Sequence, residues 1–239
     1  VRNEMPIEDI YYFDYAGGYS FTSISALDLD DGDFETEVYL MDNSGSLYVS
    51  ENNIYLTNQK YISEKERLGY FIDNGLKQIV IKIDQIKAEK IIESNDDNYE
   101  KFNDLMEITQ DHSSSLRGKE KGDFDKELRD LFNKIEDELN DEYLKTQINK
   151  INIDGDEINY DGKGEVYGTV LNQFSMDEYK GNFRIATTSG EQWQGTSKNN
   201  LYILNEDLDV VGKIEGLAPG ESIYSARFLG ERAYMVTFK

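Results

Sequence analysis

The stretch Ile223-Tyr-Ser-Ala-Arg-Phe-Leu-Gly-Glu-Arg-Ala-Tyr-Met-Val-Thr-Phe238 interleaves aromatic and aliphatic residues with polar ones on both sides of Gly230-Glu231. Such a pattern marks two half-buried strands joined by a tight turn. Strands are expected at residues 223–228 and 232–238. Upstream the same pattern recurs at 210–214, 200–204, 183–188, 164–166, 157–160 and 147–153, with Asp154-Gly155, Asp161-Gly162 and Pro219-Gly220 as breaks. The beginning of the chain repeats it at 10–15, 19–29, 36–41, 46–50 and 54–57, broken at Gly17-Gly18, Asp31-Gly32, Ser44-Gly45 and Asn52-Asn53. These breaks carry the residue types that tight turns require.

Two local echoes organise the strands. Ser50-Glu-Asn-Asn-Ile-Tyr-Leu-Thr57 is matched by Ser197-Lys-Asn-Asn-Leu-Tyr-Ile-Leu204, an Asn-Asn turn feeding an aliphatic-Tyr-aliphatic strand. The hairpin at 223–238 has the form of the two inner strands of a blade. Reuse of one four-stranded sheet around an axis produces such repetition, and favours a propeller over a sandwich or barrel. Between the two β regions the composition turns to Lys and Glu, with apolar residues every three or four positions. Phe124, Leu128, Leu131, Phe132, Ile135, Leu139 and Tyr143 form one helical stripe behind Asp123 as N-cap. Residues 99–108 read as a shorter helix, and 63–94 as helix in spite of Gly75 and the β-like run Ile79-Val-Ile-Lys-Ile. The expected fold is mainly β, a partial β-propeller of about 2–4 antiparallel four-stranded blades with an α-helical insertion. Its parts are residues 1–60, the acidic insertion 61–145, and 146–239.

The 239 residues carry a formal charge of −23, one histidine and no cysteine. Phosphate recognition needs a clustered basic surface, so nucleic acid is not an expected partner. Without cysteine there is no disulfide frame, thiolate metal site or cysteine nucleophile. No run approaches the roughly 20 apolar residues of a membrane span, and residues 1–10 do not read as a signal peptide. The start at Val1 and the stop in a strand-like run at Phe238-Lys239 read as those of a mature or excised piece.

Three runs carry a family resemblance: Leu171-Asn-Gln-Phe-Ser-Met-Asp-Glu-Tyr179, Phe183-Arg-Ile-Ala-Thr-Thr188, and the run from Leu217 to Phe238. With Asp9-Ile-Tyr-Tyr-Phe-Asp-Tyr15 and Tyr48-Val-Ser-Glu-Asn-Asn-Ile-Tyr-Leu-Thr57, they resemble uncharacterised secreted proteins containing a C-terminal β-propeller domain. That family is best represented in methanogenic archaea and occurs in some bacteria. The resemblance covers essentially the whole chain, including the helical stretch around Met106-Glu-Ile-Thr-Gln-Asp-His112. It implies a propeller fold, a secreted or cell-envelope location and no assigned activity, and it transfers no catalytic residue. It also implies that the chain corresponds to an interior portion of longer relatives, so that its blades need not close into a ring.

Candidate sites are few. Asp28-Leu-Asp-Asp-Gly-Asp33 gathers Asp28, Asp30, Asp31 and Asp33 on a turn and is a candidate calcium loop, since a hard cation takes several carboxylates around a bend. Its spacing departs from the EF-hand pattern, with Gly32 in a ligand position and Tyr39 where a bidentate Glu belongs, so an acidic hairpin turn is the simpler reading. Asn205-Glu-Asp-Leu-Asp209 alternates oxygen ligands but offers no glycine. No other cofactor is expected. Trp193, in Gly190-Glu-Gln-Trp-Gln-Gly195, is the most suggestive ligand contact, because a loop aromatic stacks on a sugar or a partner side chain. Gln192 and Arg184 are named with it, against the alternative that Arg184 ties blades together. His112 reads as part of a polar linker between helices, and Asp177-Glu178, adjacent on a strand, point to opposite faces and so do not pair as a hydrolase needs.

The function these features favour is an extracellular, non-catalytic interaction module that binds a protein or polysaccharide at the cell surface. The alternatives are a structural subunit that self-associates through open strand edges at 10–15 and 232–238, and, last, a hydrolase.

Overall fold

The computed structural model describes residues 10–13, 19–30, 32–41, 45–155 and 157–239. The chain forms two compact units, Val1–Tyr61 with Leu144–Lys239, and Ile62–Tyr143.

The first unit is built of four sheets. Strands β1 (Ile10–Tyr12), β2 (Ser20–Leu27) and β3 (Phe34–Met41) form the first, in the order β1-β3-β2. β2 and β3 are an antiparallel hairpin, whereas β1 lies parallel to β3, a departure from the uniformly antiparallel meander expected. β4 (Ser46–Val49), β5 (Asn53–Gln59), β6 (Lys145–Asp154) and β7 (Glu157–Tyr167) make a four-stranded antiparallel sheet. β8 (Thr169–Val170), β9 (Met176–Tyr179), β10 (Asn182–Ser189), β11 (Lys198–Leu204) and β12 (Val210–Leu217) make the third, with β8 and β9 sharing the free side of β10. β13 (Ser222–Leu229) and β14 (Arg232–Phe238) are the final hairpin. β1 and β14, the first and last described strands, stand in different sheets, so the described sheets do not close.

Each sheet packs on the next. Tyr39 and Met41 of β3 meet Ile54, Leu56, Ile151 and Ile158. From the other face of the second sheet, Tyr55, Ile148 and Val166 meet Phe183, Ile185, Tyr202 and Leu204. Ala186 and Leu201 meet Ile223, Ala226 and Phe228 in turn. The central strands β5 and β6 are therefore covered on both faces, and six consecutive residues of each are buried. Strands at the ends of the series half-bury alternate residues only, as in β2.

Two runs expected at 157–160 and 164–166 are one strand, β7. Asp161-Gly162 lies beside a β-bulge between Lys150 and Ile151 rather than in a turn. At Gly164 the chain passes so close to Leu208 that an added Cβ would stand 2.6 Å from its carbonyl oxygen. The echoed Asn-Asn motifs stand second in their sheet in β5 and third in β11, so they share local chemistry rather than a position in a blade.

The second unit is helical: α1 (Glu64–Phe71), a π turn (Ile72–Leu76), α2 (Lys77–Ile83), α3 (Gln85–Ile92), α4 (Asn98–Ser115) and α5 (Gly118–Tyr143). Ser63 and Glu66 form a reciprocal capping box at the start of α1, and Asp84 and Asp97 cap α3 and α4. Ile72, Leu76, Val80, Ala88 and Leu105 form its core, and Gly75 admits Leu131 and Ile135 at distances no side chain would allow. α4 runs past residue 108, so His112 sits in its last turn, edge-on to Phe124, not in a linker. No helix among the described residues is long and apolar enough to cross a membrane.

Candidate functional site

At the seam between the second and third sheets, β9 sets Asp177 and Glu178 on opposite faces, as alternation on a strand requires. Asn172 starts this arrangement: its side chain accepts from the Phe174 amide at 3.0 Å and caps the short turn Gln173–Ser175 that leads into β9. Glu178 Oε2 then accepts three hydrogen bonds from the hairpin of β4 and β5: Ser50 Oγ at 2.7 Å, Asn53 Nδ2 at 2.9 Å and Tyr55 OH at 2.9 Å. Its amide donates to Tyr48 OH at 3.1 Å. Burial works against the Glu178 charge, but these donors, with the Lys150 ammonium, outweigh it and hold the carboxyl below its ordinary range. Burial and then the Glu178 charge push the Tyr55 hydroxyl far up.

A cleft of about 440 Å³ opens beside this network, lined by Asn53, Asn152, Asn159, Asp161, Glu178 and Lys150 among others. Lys150 Nζ is held by Asp161 at 2.6 Å and by the Glu206 carbonyl at 3.1 Å. Glu178 is thus held ionised, with Oε2 taken by three donors of the neighbouring sheet, which makes it an anchor between sheets. None of Ser50, Asn53, Tyr55 and Lys150 stands out in the sequence as a site residue. The Asn-Asn turn was the one visible signal.

Asp177 turns the other way and meets Arg184 through Nε at 2.9 Å and through Nη2. Arg184 Nη1 donates to the Gly230 carbonyl at 2.7 Å, and its guanidinium lies between the rings of Tyr179 and Phe228. Every side of this buried group is occupied by the protein, which binds the third sheet to the β13–β14 turn. Trp193 and Gln192 lie beyond the opposite end of β10. Gln192 Nε2 donates to the Phe238 carbonyl at 3.0 Å and pins the turn Gln192–Gln194 to β14. Trp193 donates from Nε1 to Glu191 at 3.0 Å and leaves 80% of its surface exposed. Beside this turn a cleft of about 470 Å³ is lined by Gln59, Leu144, Leu171, Thr188, Glu191 and Gln192, among others.

Four sheets packed face to face in chain order are the arrangement of propeller blades. Over residues 2–239 the chain matches the family model described as a beta propeller domain. The chain belongs to the beta propeller domain family. It is similar to an uncharacterised protein of Methanocaldococcus jannaschii, 37% identical over 235 residues, covering 96% of this chain and 36% of that protein. An uncharacterised protein of Archaeoglobus fulgidus is 31% identical over 219 residues, covering 91% of this chain and 34% of that one. The chain thus spans about a third of the length of the curated relatives it matches. No solved structure matches it.

In this propeller segment the acidic loop closes the β2–β3 hairpin. Asp28 Oδ1 accepts the Asp30 amide at 2.7 Å, and the Asp28 amide donates to the Asp33 carbonyl at 2.8 Å. Asp31 lies outside the described residues. Among the described residues no three acidic or histidine side chains gather so as to hold a metal ion. The structure separates Asp28, Asp30 and Asp33, Arg184, and the Gln192–Trp193 pair into three places.

Proposed function

We propose that the chain is a non-catalytic interaction module acting outside the cell, secreted or held in the envelope, whose ligand is a cell-surface protein or polysaccharide. The carrying observation is Trp193, exposed on a turn that Gln192 and Glu191 fasten in place, these two neighbours themselves lining a cleft. A large aromatic fixed before binding loses little freedom when it stacks on a ligand. The extracellular part of the reading rests on the resemblance to secreted proteins, and cell fractionation tests it. A hydrolytic reading draws no support from Asp177 and Glu178, since each is spent on a separate structural partner. Glycan arrays and intact-cell binding with the wild type and Trp193→Ala test the proposal. Binding that falls at least about tenfold in the variant is expected. No binding by the wild type, or binding untouched by the substitution, overturns it.

A second reading, an assembly subunit, is favoured by the outward faces of the terminal sheets. Tyr224, Val236 and Phe238 are exposed at one end of the series, and Phe21, Leu27 and Phe34 at the other. Apolar surface grouped in this way marks association. A concentration-independent monomer by light scattering rejects that reading.

A further inference from the structure

The first sheet and the final hairpin each cover only part of the sheet they pack on. β2 and β3 cover β5, β6 and β7 through Ile24 and Ala26. They leave β4 bare: Leu47 and Val49, opposite Leu56 and Ile54 in the ladder and so on the same face, are exposed. The final hairpin does the reverse. It covers β10 and β11 at Ala186 and Leu201 and leaves β12 bare, with Ile214, opposite Leu201, exposed on that face. In chain order β13–β14 is therefore the leading half of a sheet, and β2–β3 the trailing half. Among the described residues β14 pairs only with β13, and β2 only with β3. Each presents an open edge, seven residues long in β14 and eight in β2. Edges of this length invite another strand, and a two-stranded sheet is marginal alone.

We propose that β14 of one copy of this chain pairs with β2 of a second copy, and β14 of the second with β2 of the first, each pair completing one sheet. The inference rests on the assembly reading above and gives it a partner and a geometry. Within one copy the two strands stand in different sheets. Pairing is antiparallel, as in the ladders on either side, and the joined sheet runs β13-β14-β2-β3-β1, five strands like the third sheet. Met235 faces the third sheet of its own copy, and Ile24 the second sheet of the other, so the two lie on opposite faces of the joined sheet. Alternation then turns Val236 and Phe238 toward the bare Leu47 and Val49, and Phe21 toward the bare Ile214. Charge complements this fit. Residues 10–59 contain no lysine or arginine, and Asp28, Asp30 and Asp33 follow the end of β2. Arg227 and Arg232 are exposed on the final hairpin. Antiparallel pairing brings the Arg232 end of β14 to the Leu27 end of β2, so basic side chains meet the acidic turn. Each copy holds two full sheets and two partial ones, so two copies close on a two-fold axis as six blades, within the roughly four to eight usual for propellers.

Sedimentation of the full chain tests this, with Phe21→Glu blocking one side of the joint and Val236→Glu the other. Both side chains are exposed, so each variant keeps the fold of the single copy. The wild type is expected to sediment as a pair, and each variant alone to weaken the pair at least about tenfold, because both joints are then damaged. An equal mixture of the two variants restores one undamaged joint, between β14 of the Phe21→Glu chain and β2 of the Val236→Glu chain. The mixture should therefore associate more tightly than either variant alone. Arg232→Glu and added salt should both weaken the pair. A wild type that is monomeric at every concentration overturns this proposal together with the assembly reading. Association that either variant leaves intact, that the mixture does not strengthen, or that grows beyond two copies overturns the proposal and leaves the assembly reading standing.

Discussion

Arg184→Met removes the guanidinium that joins β9, β10 and the last hairpin, while keeping an unbranched stem between Tyr179 and Phe228. Asp177 then loses both its Nε and Nη2 donors, and the Gly230 carbonyl loses its Nη1 donor. Breaking a fully buried ion pair costs about 3–5 kcal/mol. The Asp177 side chain is 24% exposed, so water recovers part of that, and the pair is worth about 2–3 kcal/mol here. Two ring contacts of the cation add about 0.5–1 kcal/mol each, of which a thioether keeps roughly half. The sum, near 3 kcal/mol, corresponds to a fall in Tm of about 6–12 °C for a unit of this size. Urea denaturation measures the loss. Hydrogen exchange locates it, with the amides of Ser222–Leu229 and Arg232–Phe238 expected to lose more protection than those of β5 and β6. In the double variant with Asp177→Asn, the losses should fall short of additivity by about 1–2 kcal/mol. A loss below about 0.5 kcal/mol, or uniform deprotection of all the sheets, refutes the assignment of Arg184 as the clamp on the hairpin.

The Glu178 carboxyl is held below its ordinary value of 4.5, so between the two values the unfolded chain binds the proton and the folded chain does not. Its contribution to stability is therefore complete above that ordinary value and fades as pH falls through the lower, folded one. Urea midpoints should drop more between pH 7 and pH 3 in the wild type than in Glu178→Gln, and equal drops would dismiss the network as the cause. Ser63→Ala removes the capping box of α1 and should cost about 1 kcal/mol. The loss should be confined to the helical unit, which exchange at the amides of Glu64–Phe71 reads separately from the sheets.

The final hairpin was legible because its alternation, its Gly230 turn and its half-buried faces all point one way. Mainly β character and the helical middle were legible on the same grounds. What sequence pattern obscured has physical causes. β8 and β9 are short edge strands interrupted by an Asn-capped turn, so neither offers a period to read. The break expected at Asp161-Gly162 is absorbed by a bulge, and the glycine at 164 is there for the approach of Leu208 rather than for a turn. α4 runs through Gln110-Asp-His-Ser-Ser-Ser115, where polar composition resembles a linker but Ser115 and Arg117 satisfy the terminal carbonyls of His112 and Ser114. The Glu178 network joins residues more than 120 positions apart, which no local spacing can reveal. Asp177 and Glu178 on opposite faces, by contrast, followed from strand alternation alone.

The second sheet is stitched from two distant lengths of chain: β5 ends at Gln59 and pairs at once with Thr146 of β6, and the Lys60 amide donates to the Lys145 carbonyl at 3.0 Å. Everything between is a detour that leaves and returns through neighbouring ladder positions. A chain emerging from the ribosome presents β4 and β5 long before their partner exists, leaving one hairpin with its edge open. Helices form from local contacts in microseconds, so the detour is able to fold while the sheet waits. Helical structure in the detour shortens the free loop that must close when β6 joins β5, and closure entropy grows only slowly with loop length. The second sheet is thus completed only after the whole helical unit has been synthesised.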